Sequence, residues 1–296
     1  MNNNRRSFLK TTALTTGALA VNSIFANSLL SVCEQAAAKR IKNFGLQFWT
    51  LRDALFKGAD PKELLKQVAE AGYAHLESFD GPKGIFWGMK NTAFKTYLTD
   101  IGMTIHSAHC NFEENANKKI DEAAEIGMKY LIYPWEGPSK TLDDYKKLAD
   151  KFNVWGEACK KAGIRFAFHN HDYTFKLVNG QYMQDVLMQN TDAGLVDYQM
   201  DIFWVVAAGH SPEEWFKKYP NRFTLSHVKD RSKTPDKEES KNSVELGTGT
   251  INWKKILKAA KENGMKYYIV EQEAYPNGTP LDAIKVNATF MKKAKA

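Results

Sequence analysis

From Asn43 onward, short apolar runs rich in β-branched and aromatic residues alternate with stretches whose apolar positions recur at helical spacing. Eight runs read as strands: Phe44–Phe48, Ala74–Glu77, Thr104–Ala108, Tyr130–Tyr133, Arg165–Phe168, Gly194–Met200, Phe223–Val228 and Tyr267–Val270. The stretches between them carry helix start and stop signals. In Asp60-Pro61 the aspartate caps and the proline suits the first turn, while Gly72 ends the helix. Glycines at 102, 127, 163 and 264 play the same terminating part before the next strand. Strands repeating every 25 to 45 residues or so, with helices between them, predict βα units with right-handed crossovers, hence one parallel sheet. Eight units predict a closed (β/α)8 barrel. The first strand is followed by Gln47-Phe48-Trp49-Thr50-Leu51-Arg52 and lacks a Gly-x-Gly-x-x-Gly turn, which disfavours an open dinucleotide-binding sheet.

Four of these runs lead directly into a potential metal ligand: His169, Asp201, His227 and Glu271. On parallel barrel strands all four project toward one rim, where carboxylate and imidazole donors can converge on a single divalent ion. Burying two carboxylates without compensating charge is costly, so a cation explains the pattern economically. His171 shares a face with His169, so either imidazole can be the fifth-strand ligand.

The N-terminus has a different character. Asn4-Arg5-Arg6-Ser7-Phe8-Leu9-Lys10 is a twin-arginine pattern, followed by an uncharged, weakly apolar stretch and by small residues at Ala36-Ala37-Ala38. Residues 1–38 are therefore expected to be a twin-arginine signal peptide and 39–296 the barrel domain, delivered to the periplasm. A lipid-anchored Cys33 is disfavoured by the bulky Val32 before it, and Asn22, Ser23, Asn27 and Ser28 interrupt the apolar run before it could span a membrane. The expectation is no stable membrane insertion after processing.

Loss of residues 1–38 lowers the formal charge from +7 to +5. The remaining excess is spread over Lys-rich helical faces without a basic-aromatic groove, which argues against a nucleic-acid partner. The three cysteines, Cys33, Cys110 and Cys159, imply neither a disulfide framework nor a Cys-x-x-Cys zinc site.

Taken in order, Gly45-Leu46-Gln47-Phe48-Trp49-Thr50-Leu51-Arg52-Asp53, Ser107-Ala108-His109, His169-Asn170-His171-Asp172, Met200-Asp201-Ile202-Phe203-Trp204, His227-Val228-Lys229-Asp230 and Leu246-Gly247-Thr248-Gly249-Thr250-Ile251-Asn252-Trp253 resemble the xylose isomerase-like barrels of sugar isomerases, epimerases and inosose-processing enzymes. The resemblance covers residues 43 to about 292. It implies one divalent metal ion (Mn, Co, Mg or Zn) on position 169, Asp201, His227 and Glu271. Epimerases of this group carry Glu where this chain has His169, and that Glu and the last-strand Glu form their acid/base pair. A metal-bound imidazole cannot also accept the substrate proton. Glu271 is expected to keep its catalytic role, with Glu136 as the first candidate for the second group, followed by His109 and Lys229. Lys229 alternatively pairs with Asp230. Glu77 either orients a rim histidine or pairs with Arg52, and His75 and His106 read as structural.

Trp49, Trp135 and Trp204, with His171, are the candidate sugar-binding groups. The expected function is metal-dependent isomerisation or epimerisation of a small-molecule sugar or glycoside by proton abstraction beside a carbonyl. A lyase or hydrolase acting on oxidised glycosides and a non-catalytic sugar-binding barrel are the alternatives. The endonuclease branch of the same group has a histidine three residues after the sixth-strand Asp, where this chain has Trp204. Nothing in the pattern opposes a homo-oligomer.

The export reading has a direct test. Replacing Arg5 and Arg6 together by Lys should hold the precursor in the cytoplasm when cell fractions are immunoblotted, and normal export of that variant would reject the twin-arginine assignment.

Overall fold

A computed structural model describes residues 39–138 and 141–296; the signal expected over residues 1–38 lies outside the described residues. Arg40–Ala296 forms one compact unit. Its eight strands are β1 Gly45–Gln47, β2 His75–Phe79, β3 Thr104–His109, β4 Tyr130–Tyr133, β5 Arg165–His169, β6 Val196–Asp201, β7 Phe223–Val228 and β8 Tyr267–Val270. They pair in parallel and in chain order, and β1 closes on β8, so the sheet is the expected (β/α)8 barrel.

The local signals act as the sequence suggests. Asp60 accepts from Lys62 N, Pro61 opens helix Pro61–Ala71, and Gly72 leaves it at φ +104°. Thr141 and Thr279 each begin a helix with a reciprocal capping box, to Asp144 and Asp282. Several strand boundaries move by one or two residues, and two of the shifts have a visible cause. β1 stops at Gln47 because its side-chain oxygen caps the following turn of 3-10 helix, accepting from Trp49 N at 3.1 Å. β6 begins at Val196, not Gly194, because Asp192 bonds Gly194 N (2.6 Å) in an Asx turn that keeps Gly194 out of the ladder.

Most of the apolar core lies between the barrel and its helices, whereas inside the barrel Tyr130, Ile132, Ala167, Leu225 and Ile269 form a small apolar layer with Tyr267 packed against it. At the N-terminal end of the strands, the Arg165 guanidinium grips the Asp197 carboxylate with two bonds of 2.6 and 2.9 Å. His75 and His106 stack there with centroids 3.8 Å apart, a packing role in keeping with the structural reading. Toward the C-terminal end the interior turns polar: Gln47, Glu77, Ser107 and Gln199 are wholly buried on β1, β2, β3 and β6. The barrel's interior therefore holds up a charged layer instead of filling with hydrocarbon.

Helix Leu142–Lys161 contains Gly156 where it crosses the turn before β6. A Cβ there would lie 2.8 Å from Leu195 O and 3.0 Å from Leu195 Cβ. Gly to Ala within a helix usually stabilises by roughly 0.4–1 kcal/mol, but here the backbone of the next layer stands in the way. Gly156→Ala should destabilise the protein by about 1–3 kcal/mol in urea unfolding, the scale of overpacking; a stabilised variant would contradict this packing.

Candidate metal centre and active site

Glu77 is the hub of the polar layer. Its Oε1 accepts from Gln47 Nε2 at 2.8 Å and from His227 Nε2 at 2.6 Å, with His109 Nε2 at 3.2 Å. Its Oε2 accepts from Ser107 Oγ at 2.6 Å and Gln199 Nε2 at 2.8 Å. Burial pushes this carboxyl upward, but the His109 and His227 rings outweigh burial and hold it well below the usual carboxylate range. Arg52 bonds Trp49 O and Glu273 O, so the role of Glu77 is to orient histidines and not to pair with that arginine.

Gln199 extends the hub. With its amide nitrogen committed to Glu77, its Oε1 lies 2.7 Å from His109 Nε2 and 3.0 Å from His169 Nδ1. An acceptor at each position makes these ring nitrogens donors, which fixes the tautomers in the neutral rings. His227 therefore carries its lone pair on Nδ1, and His169 on Nε2. Both lone pairs face the carboxylates: His227 Nδ1 is 3.3 Å from Glu271 Oε2 and 3.7 Å from Asp201 Oδ2, and His169 Nε2 is 3.9 Å from Asp201 Oδ2.

Asp201 divides its two oxygens between structure and site. Oδ1 caps the short helix Ile202–Ala207 by accepting from Trp204 N at 3.2 Å. Oδ2 is buried without a hydrogen-bond partner, as is His227 Nδ1. The next residue along from His169 supports this geometry: Asn170 exchanges two bonds with the Asp201 backbone, at 3.0 and 3.3 Å, locking the ends of β5 and β6 together. Donor atoms of Asp201, His227 and Glu271, and likewise of His109, His169 and His227, lie within 4.8 Å of one another. Orphaned donors, converging lone pairs and anchored outer nitrogens are what a divalent ion requires, and these residues fit one.

Lys229 is fully buried beside this cluster, its Nζ 3.0 Å from Asp201 Oδ2, 2.9 Å from Glu271 Oε2 and 2.7 Å from Glu273 Oε2. The contact with Asp201 is close but off the hydrogen-bonding direction, hence the orphaned Oδ2. Burial lowers the lysine's proton affinity, yet the three carboxylates more than restore it and hold the ammonium. Glu271 is correspondingly held low: burial raises it, and Lys229 and His227 overcome that effect. Burial keeps His169 neutral, aided by the surrounding rings, and pushes His171 down to about 3. For His227, burial opposes the proton, but Glu271, Asp201 and Glu77 hold the ring protonated, so its Nδ1 would offer a lone pair to a cation only on giving up that proton.

Asp230 does not pair with Lys229. Its carboxylate accepts from the backbone nitrogens of Arg231, Gly247, Gly249 and Ile251 and from Trp253 Nε1. It thereby ties both ends of the loop after β7 together.

Above the cluster opens a cavity of about 450 Å³, with Trp49, Phe79, Trp135 and Trp204 among its walls and His109, His169, His171, Glu271 and Glu273 among its polar lining. Trp135 is 51% exposed and meets His171 edge-on at 4.6 Å. The three predicted tryptophans and His171 thus share one cavity. Glu136 is not among its lining residues: its carboxylate accepts from Tyr133 Oη at 2.8 Å, and Tyr133 packs against Phe152 and Trp155 outside the barrel. Lys229 also is not among the lining residues, with Glu271 and Glu273 standing there instead. Gln199 and Gln47 are not among the residues the sequence singles out, although alternation back from Asp201 puts Gln199 on the inward face.

The description "xylose isomerase-like TIM barrel" belongs to the family model that matches residues 65–294. An inosose dehydratase of Clostridium tetani (strain Massachusetts / E88) is 30% identical over 174 residues, covering 54% of this chain and 58% of that protein. The chain thus spans little more than half the length of that relative. A solved sugar phosphate isomerase/epimerase of Parabacteroides distasonis ATCC 8503 is 29% identical, with a TM-score of 0.74 over 86% of this chain and 98% of the other. The IOLI protein, solved with a bound zinc atom, shares the fold at 15% identity, with a TM-score of 0.68 over 84% of this chain and 97% of that one. With most of the barrel covered by the family match and its strand-end donors in place, the chain belongs to the xylose isomerase-like TIM barrel family.

Proposed function

We propose that this protein is a divalent-metal-dependent sugar isomerase or epimerase that moves a proton on the carbon beside a substrate carbonyl. The observation carrying this reading is the pair of anchored imidazoles: Glu77 and Gln199 each hold one nitrogen, so that the other faces Asp201 and Glu271. His169, Asp201, His227 and Glu271 would hold the ion. Charge supports it, because Asp201, Glu271 and Glu273 share the ammonium of Lys229 among three carboxylates. When bound, the ion supplies Lewis-acid polarisation of a carbonyl.

The remaining chemistry falls to the cavity. Trp49, Trp135 and Trp204 offer ring faces to the apolar side of a sugar, and the neutral His171 offers a hydrogen bond to a hydroxyl. His109 has Nε2 engaged by Gln199 and Glu77, while Nδ1 has no hydrogen-bond partner among the described residues, on a side chain that lines the cavity. It is suited to take the proton at Nδ1, with Glu77 balancing the imidazolium that forms. Returning the proton to the neighbouring carbon isomerises the sugar. Epimerisation needs a second group on the opposite face, and Glu273, a cavity carboxylate, suits this better than Glu136. Lys229 neutralises the acidic cluster from behind. A dehydratase outcome, in which the same carbanion expels a β-hydroxyl that leaves as water, is the second reading, favoured by the similarity to inosose dehydratase.

Metal content tests the centre. The mature protein should carry about one ion per chain by elemental analysis, Asp201→Asn should lose it, and Glu77→Gln should bind it ~10–100-fold more weakly, the usual cost of removing an outer partner of a ligand. Unchanged affinity in both variants would remove the proposed site.

Incubating metal-loaded protein with aldoses, ketoses and 3-keto-glycosides in D₂O, followed by NMR, tests the reaction. Deuterium uptake beside the carbonyl with all hydroxyls retained supports isomerase or epimerase chemistry, loss of a β-hydroxyl assigns the dehydratase, and the absence of both overturns both readings. His109→Gln should lower turnover ~10²-fold or more with metal retained, while Glu136→Gln stays near wild type. The reverse pattern would return the proton-transfer role to Glu136.

A further inference from the structure

Beside the cavity lies a second depression of about 420 Å³, bounded by Lys83, Lys90, Lys118, Lys119, Glu122 and Glu125 among others. Asp80, the residue after β2, is in the wall of both. Its carboxylate is fixed by Lys119 Nζ at 2.7 Å, and the same ammonium donates to Asn111 O at 2.8 Å, a residue that lines the cavity. The boundary between the two spaces is thus a tied saddle, with aromatic rings on one side and charged groups on the other.

The charges in this groove do not cancel. Lys119 is matched to Asp80, Lys118 lies 3.7 Å from Glu122, and Glu125 accepts from Asn91 Nδ2 at 2.8 Å. Lys83 and Lys90 have no carboxylate within ion-pair distance among the described residues. Both belong to the loop between β2 and helix Asn91–Asp100, on the side of the barrel where the strands end. Lys83 sits in a tight turn closed by Gly84 N to Gly81 O at 2.9 Å, and Gly88 N donates to the Lys83 carbonyl at 2.9 Å. The two ammonium groups are carried on an organised loop beside the reaction cavity.

We infer that the groove holds the second unit of a glycosidic substrate, a sugar ring bearing a carboxylate, while the ring to be altered occupies the aromatic cavity. This rests on the sugar-modifying reading above and names its substrate class. Each space falls in the roughly 300–1,000 Å³ range of small-molecule sites, and two such spaces sharing a wall suit a two-ring ligand. A carboxylate meeting Lys83 and Lys90 makes charge-assisted hydrogen bonds, while its hydroxyls find amides and carboxylates in a polar groove.

Three probes test this with mature metal-loaded protein: a methyl 3-keto-glucoside, a neutral 3-keto-disaccharide, and a 3-keto-disaccharide whose second ring is a uronate. The wild type should prefer the uronate. Lys83→Ala/Lys90→Ala should lower kcat/KM for the uronate ~10-fold, about one charge-assisted hydrogen bond's worth, and leave the methyl glycoside unchanged. Lys83→Arg/Lys90→Arg should restore the preference. Equal wild-type use of the three probes, or an equal loss on all three in the alanine variant, would overturn the assignment. If no probe turns over, isothermal titration separates the two ideas. Tighter uronate binding that is lost in the alanine variant supports the groove while the reaction reading fails, and indifference to the second ring rejects the groove itself.

Discussion

The site depends on a buried carboxylate at the centre of the barrel. Glu77 is fully inaccessible to water, and an isolated charge there would be prohibitive. It is tolerated because β1, β3, β6 and β7 each deliver a donor to it, two of those strands lying across the barrel from β2. A closed parallel barrel is the geometry in which strands that are not neighbours can meet at one atom. The closure of the sheet and the satisfaction of this charge are therefore a single condition.

From that anchor the chemistry acquires direction. A histidine can present either nitrogen, and which one faces a ligand follows from what holds the other. Here a carboxylate and an amide make that choice for His227, His169 and His109 together, through bonds of 2.6 to 3.0 Å. Asp201 is specified in the same manner, because capping a helix with one oxygen aims its second oxygen into the cluster.

The barrel was legible in the sequence because alternation, caps and helix-ending glycines are local, and all eight strands lie where the apolar runs predict. The strand-end ligand candidates could be picked out because parallel strands place their last residues on one face, and the structure sets His169, Asp201, His227 and Glu271 in two overlapping groups that share His227. What escaped depends on contacts across the barrel. Gln199 and Gln47 carry no charge to attract notice, and their importance lies in bonds to Glu77 that span 122 and 30 residues. Glu136 stood out as an acid just beyond a strand, but Tyr133 beside it points outward and takes its carboxylate away from the cavity lining. Lys229 and Asp230 are adjacent opposite charges, yet strand alternation sends one to the carboxylate cluster and the other to the backbone of the Gly247–Gly249 turn.

The buried ammonium of Lys229 bears on the order in which the protein matures. In small zinc domains the ion supplies the folding energy, and the chain is unfolded without it. In this barrel an internal cation already stands within 3.0 Å of Asp201, Glu271 and Glu273, so these acids can be enclosed before any ion arrives. Under the proposed function, folding and metal loading would be separable events, and the folded scaffold would meet an ion with its donor set already enclosed.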